Sequence, residues 1–282
     1  MNIQKIGIIG AGTMGGSIAQ VIAQSGYEVV LEDIKEEYVR AGFAKIKDRL
    51  EKKVGAGKLE SKERDRALSN IKTVQKLEDC KDVDLIIETV TEKEDVKKQI
   101  FRELDILCDE EAIFTTNTSS ISITRLASTT GRPERFAGMR FMNPAYGMKL
   151  IEVVRGLHTS EETIGILIAV SEIIGKTPVV VQDFPGFVSN RVLMSMINDA
   201  IYCLQEGVTS RENIDTIMRL GANHPMGPLE LADFIGLDTC LIILEMLYTD
   251  LGGRYRPCPM LKKMVAGGKL GKKSGEGFYE YR

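Results

Sequence analysis

Three glycines and an acid have the clearest chemical meaning in this chain: Gly10, Gly12 and Gly15, followed at a distance by Asp33. In a Gly-x-Gly-x-x-Gly turn the first glycine permits the tight bend. The second lets the backbone approach a pyrophosphate, and the third lets the following helix pack closely on its strand. The helix that opens at Thr13-Met14 turns free N–H groups and a positive dipole end toward the same anion. Asp33 lies 18 residues beyond Gly15. A carboxylate there accepts hydrogen bonds from an adenine-ribose diol and repels a 2′-phosphate, which favours NAD over NADP as cofactor. Neighbouring Glu32 leaves open which acid points inward, and Lys35 softens the discrimination.

Such a turn works only between a strand and a helix. The apolar run Ile6–Ile9 precedes it, residues 18–23 follow at helical spacing, and a second apolar run, 28–31, ends at Glu32-Asp33. Residues 35–72 read as one or two exposed amphipathic helices broken at Gly55-Ala56-Gly57, with Lys52, Lys53 and Lys58 around the break. By composition those lysines are a solvated face. Strand-like runs recur at 84–88, 112–116, 136–141, 151–154 and 177–181, with a helix at 92–107. Ligands of an open α/β sheet sit at the carboxyl ends of its strands. That rule marks Glu92 and Lys97 as candidates for the nicotinamide side of a cleft, and the polar exit Asn117-Thr118-Ser119-Ser120 shares their position. From Pro185 the pattern is helical. The expected architecture is therefore α/β: a doubly wound Rossmann-type sheet over 1–184 that binds NAD, then an all-α C-terminal domain over 185–282.

Composition narrows the function classes. The 282 residues are 43% hydrophobic and 27% charged with net charge −3, so no basic field points to nucleic acid. Five cysteines, odd in number and without metal-ligand spacing, fit a reducing compartment and no metal site. No signal peptide and no apolar run of membrane-spanning length is visible, so the expectation is a cytoplasmic protein without a membrane partner. Twelve methionines and the apolar stripes of the helical half predict a homodimer formed through that half.

Several motifs resemble one family. They are Gly10–Gly15, Asn117–Ser120, Phe141-Met142-Asn143-Pro144, Met148–Val153, Pro185–Arg191, Gly221–Pro228 and Lys273–Tyr279, and they agree in order and spacing from end to end. Together they resemble the L-3-hydroxyacyl-CoA dehydrogenases, most closely the short 3-hydroxybutyryl-CoA type. The resemblance implies hydride transfer between NAD and the C3 position of a short-chain acyl-CoA, interconverting (S)-3-hydroxybutyryl-CoA and acetoacetyl-CoA. It implies cofactor contacts from Gly10, Gly12, Thr13, Met14, Gly15, Asp33, Glu92, Lys97, Asn117 and Asn143. Ser119 and Asn190 would meet the substrate oxygens, Lys52 would hold the CoA portion, and Glu152 would stand behind a base at residue 140. The family usually carries a further lysine near Ala56, which is missing here.

At residue 140 the family implies histidine, and this chain has Arg140. A guanidinium cannot accept a proton near neutral pH. It can donate hydrogen bonds to a carbonyl oxygen, stabilise a developing alkoxide and pair with Glu152. Three readings follow: an impaired dehydrogenase, an altered proton route, or a non-catalytic NAD and acyl-CoA binding protein used for sensing or assembly. Neither histidine, His158 in an expected surface turn nor His224 in a loop of the second half, is placed to substitute.

Overall fold

The computed structural model describes residues 3–281 and divides into two compact units, the first ending at Asp183 and the second beginning at Phe184. The first unit opens with β1 (Lys5–Ile9), α1 (Thr13–Gln24), β2 (Glu28–Glu32), α2 (Glu36–Gly55), α3 (Ser61–Ser69) and β3 (Ile71–Val74). It continues through β4 (Leu85–Glu88), α4 (Glu94–Leu107), β5 (Ile113–Thr116), α5 (Ile123–Ala127), β6 (Phe136–Phe141), β7 (Leu150–Arg155), α6 (Glu161–Ile173) and β8 (Thr177–Gln182). Runs such as Ile6-Gly7-Ile8-Ile9 and Leu85-Ile86-Ile87 are apolar on both faces because helices cover both sides of a parallel sheet.

One eight-stranded sheet results, in the order β3-β2-β1-β4-β5-β6-β7-β8. Strands β3 to β6 of that order are mutually parallel, the doubly wound arrangement expected from sequence. β7 then runs antiparallel to β6, and β8 is parallel to β7. Because β1 and β4 are neighbours whose chains leave on opposite sides, a crevice opens at their carboxyl ends. On one face of the sheet Ile6, Ile8, Val29, Leu31, Leu85, Ile87 and Met139 pack with Ile18 and Ile22 of α1 and Ile46 and Leu50 of α2.

One strand was not expected. Residues 71 and 72 fall inside the stretch read as helical, yet they begin β3 beside β2. This is a four-residue edge strand with only its end residues buried, so a period of two has almost no length in which to appear.

The second unit is helical: α7 (Ser189–Gln205), α8 (Arg211–Gly221), α9 (Pro228–Ile235), α10 (Leu237–Leu251) and α11 (Pro259–Ala266). Met194, Ile197, Ile201, Leu229, Leu237, Leu244, Leu247, Leu261 and Phe278 form its core. Two buried aspartates lock the connections. Asp215 accepts the Leu229 and Glu230 N–H groups at the start of α9, at 2.9 and 3.0 Å, and the Tyr279 hydroxyl at 2.8 Å. Asp233 accepts the Phe278 and Tyr279 N–H groups, both at 2.9 Å. A Cβ on Gly227 would lie 2.2 Å from Asp215 and one on Gly277 2.0 Å from Asp233. The Gly227 and Gly275–Tyr279 motifs therefore have an internal structural reason.

Four of the five thiols are buried: Cys80 and Cys108 in the first unit, Cys240 and Cys258 in the second. Burial pushes Cys108 up to about 11 and Cys240 up to about 12, and raises Cys80 and Cys258 as well. Among the described residues no cluster of three or more His, Cys, Asp or Glu could hold a metal ion. Among them, too, no helix is long and apolar enough to cross a membrane.

Candidate active site

The glycine turn has the geometry its spacing predicts. Gly10 sits at φ +100°, in the region side chains avoid, and a Cβ on Gly15 would lie 1.8 Å from the Gly10 carbonyl oxygen. Gly12 is different. Its φ of −66° is open to any residue, and no atom lies within 4 Å of where its Cβ would be. Neither strain nor crowding inside the protein requires glycine there, so the requirement points outward, to a group approaching the exposed N-terminus of α1. Thr13 and Met14 form the first helical positions, Thr13 exposed and Met14 half-buried.

Beside this turn lies a cavity of about 780 Å³. Its wall includes Gly10, Gly12, Glu32, Asp33, Ile34 and Thr89, with Val96 and Ile100 of α4 as an apolar side. Asp33 Oδ2 accepts the Ala11 N–H at 2.8 Å, which fixes its carboxylate over the turn. Glu32, also in the wall, is only 5% exposed. Burial, and then the charge of Asp33, push the Glu32 carboxyl up to about 7. An open glycine, a helix N-terminus, a carboxylate at the end of β2 and an apolar slot fit a dinucleotide.

At the end of β4 the sequence candidates join a network that extends into the interior. Lys97 of α4 is 1% exposed, and its Nζ lies 2.6 and 2.8 Å from the two carboxylate oxygens of fully buried Glu88. Glu88 also accepts from the Thr116 hydroxyl at 2.6 Å and the Val90 N–H at 2.6 Å. Burial still leaves the Glu88 carboxyl above its ordinary range, against the pull of Lys97 and these donors. Lys97 reaches Glu92 as well, at 3.6 Å. Glu92 gathers the turn after β5: the Thr118 hydroxyl at 2.5 Å, the Ser119 N–H at 2.9 Å, the Ser120 N–H at 3.1 Å and the Ser120 hydroxyl at 2.8 Å. Burial opposes ionisation of Glu92, but Lys97 and these donors outweigh it and hold the carboxyl below its usual range.

Glu88 is the site residue that sequence reasoning missed. A carboxylate in an apolar strand run, nine residues before a lysine, was the available signal.

Strands β5, β6 and β7 bring Asn117, Ser119, Arg140 and Glu152 to neighbouring strand ends. Asn117 Oδ1 accepts the Phe141 N–H at 2.8 Å and ties the exit of β5 to that of β6, placing Ser119 and Arg140 at neighbouring strand ends. Arg140 and Glu152 are direct partners in the antiparallel register of β6 and β7. Their ion pair, Nη1 to Oε2 at 2.5 Å, has side chains 12% and 3% exposed. Asn143 is exposed just beyond β6. Lys52 is on the surface of α2, paired with Asp48 one turn back at 2.8 Å. His158 is exposed in a turn beyond the far end of β7. Asn190, in the first turn of α7, and His224 belong to the second unit.

Comparison with known proteins agrees over the whole chain. Residues 5–184 match the model of the 3-hydroxyacyl-CoA dehydrogenase NAD binding domain, and residues 186–281 match that of the 3-hydroxyacyl-CoA dehydrogenase C-terminal domain. A probable 3-hydroxybutyryl-CoA dehydrogenase of Deinococcus radiodurans is 52% identical over 278 residues, 98% of this chain and 100% of that one. A 3-hydroxybutyryl-CoA dehydrogenase of Bradyrhizobium diazoefficiens is 50% identical over 99% of this chain and 96% of its own. Among solved structures, the (S)-3-hydroxybutyryl-CoA dehydrogenase of Ralstonia eutropha superposes with a TM-score of 0.98 at 46% identity, covering 100% of both chains. The dinucleotide turn, the strand-exit network and these matches over both units place the chain in the family of NAD-dependent 3-hydroxyacyl-CoA dehydrogenases.

Proposed function

We propose that this family member acts on the four-carbon pair (S)-3-hydroxybutyryl-CoA and acetoacetyl-CoA, with a proton-transfer step altered by Arg140. The carrying observation is the Arg140–Glu152 ion pair at the position where the family resemblance implies a histidine. The four-carbon substrate is supported by relatives of this length that bear that name at 45–52% identity.

NAD, when bound, supplies the hydride acceptor or donor. The chain's own residues bind, orient and polarise. Glu152 holds Arg140 through the Nη1–Oε2 ion pair across the ladder. In ketone reduction the guanidinium N–H groups, with the Ser119 hydroxyl, donate to the C3 oxygen and stabilise the alkoxide as it forms. Arginine keeps its proton, so solvent water completes the alcohol. In the oxidative direction no group at residue 140 removes the hydroxyl proton, and that direction suffers more. Loss of a general acid–base group costs on the order of 10²–10⁴ in rate. Asp33 selects NAD over NADP, Asn190 supplies a further contact to the substrate oxygens, and Lys52 one to the CoA portion. The exposed apolar residues of the helical unit, Val192, Ile217, Leu220 and Ile242 among them, form the face of a homodimer. The working location is the cytoplasm.

Steady-state NADH oxidation with acetoacetyl-CoA, alongside calorimetric binding of both ligands, tests this reading. Slow turnover in the wild-type chain and a large gain in Arg140→His support it. Binding of both ligands with no turnover in either protein would leave the binding-only alternative standing instead.

A further inference from the structure

We propose that Glu32 couples binding of the adenosine half of NAD to the uptake of one proton, making cofactor affinity pH-dependent. Glu32 is the last residue of β2, in the cavity wall beside Asp33 and nearly closed off from water. The two adjacent acids are held differently. Asp33 is anchored by the Ala11 N–H, whereas no hydrogen bond to the Glu32 carboxyl is found among the described residues. A buried carboxylate without donors is stable only as long as some water reaches it.

The groups around it offer little compensation. From its own strand end comes Asp33, from α2 Tyr38, from the connection after β3 Lys76 and Glu78, and from α4 Glu103. The Cys80 thiol, behind it in the 3-10 turn Leu77–Cys80, is raised by burial and so stays neutral. Among the described residues Lys76 is thus the one cation beside four acids in the cavity wall. The N-terminus of α1 supplies a positive field, but a bound diphosphate takes up that field and adds negative charge of its own.

An adenosine in the slot therefore removes residual water from Glu32 while a diphosphate arrives nearby. Both effects favour the neutral acid. The free protein already has this carboxyl at about 7, so the complex holds its proton to higher pH. Below about pH 7 both forms are protonated and affinity is level. Above it the complex carries more protons than the free protein, and affinity falls by up to about tenfold per pH unit until the bound form also ionises.

Titration calorimetry of the intact chain with NADH, in two buffers of different ionisation enthalpy, reads the proton count directly. ADP-ribose, a diphosphate diester with no ionisation near neutrality, is the second probe. The expected result at about pH 7.5–8 is uptake approaching one proton for both ligands, with Kd rising about tenfold as pH goes from about 7 to 8.5. Glu32→Gln should abolish the uptake and flatten the profile to within about twofold. Three results overturn the proposal: no proton uptake in the wild-type chain, uptake with NADH but none with ADP-ribose, or unchanged uptake in Glu32→Gln. The first two need no variant to fold.

Discussion

Arg140 is the residue on which the proposed change in proton transfer rests. It occupies its place in the β6–β7 ladder and finds a carboxylate directly opposite. If that proposal holds, Arg140→His should raise kcat for acetoacetyl-CoA reduction by about 10²–10⁴ with little change in the Kd of NADH, read by stopped-flow and calorimetry. Glu32 carries a second prediction. Its folded carboxyl, at about 7, lies above the ordinary value of 4.5. An acid raised on folding favours the native state least once it must ionise, so stability declines as pH rises from about 4.5 through 7. Glu32→Gln should therefore raise Tm at about pH 8 and leave it nearly unchanged at about pH 4. At this scale the sequence was partly legible. Spacing singled out Asp33, which accepts the Ala11 N–H beside the glycine turn, and the family motif singled out Arg140, which pairs with Glu152. The contrast between Glu32 and Asp33 was not legible, because it depends on which neighbour offers a backbone donor.

Elements place these residues through close approaches and buried pairs. A Cβ at Gly15 would drive α1 off the turn, since Gly10's carbonyl occupies that space. Gly15→Ala should weaken NADH binding at least about tenfold and lower Tm, whereas Gly12→Ala, with open space around it, should weaken binding while leaving Tm in place. The pair of substitutions, followed by calorimetry and thermal unfolding, separates a packing glycine from a ligand-facing one. The Glu88–Lys97 pair joins β4 to α4 in the interior. Lys97→Met leaves a buried carboxylate without its cation and should cost about 3–5 kcal/mol in denaturant unfolding. It should also loosen the Ser119 turn through Glu92. Spacing revealed Lys97 as a site candidate but not its buried partner, because a lone acid in an apolar run looks like a strand end until the strand order is known. β3 escaped notice for a related reason: its partner β2 defines it, and its own four residues do not.

The molecule as a whole is two units of different construction, and sequence pattern separated them because alternating strands and helices give way to helices alone near Pro185. The proposed dimerisation through the helical unit predicts a single sedimenting species of twice the chain mass at micromolar concentration, and a monomer when Ile217 and Leu220 of α8, both exposed, are changed to Glu. The buried thiols have another consequence. Each unit carries two shielded sulfurs, held protonated by their surroundings and so unreactive toward alkylating agents. Half-exposed Cys203 is the side chain a reagent meets first in the intact fold. Every later modification has to wait for a local opening, and the peptide in which it appears tells which half opened. The chain thus bears its own pair of chemical clocks, one timing the sheet and the other the helices.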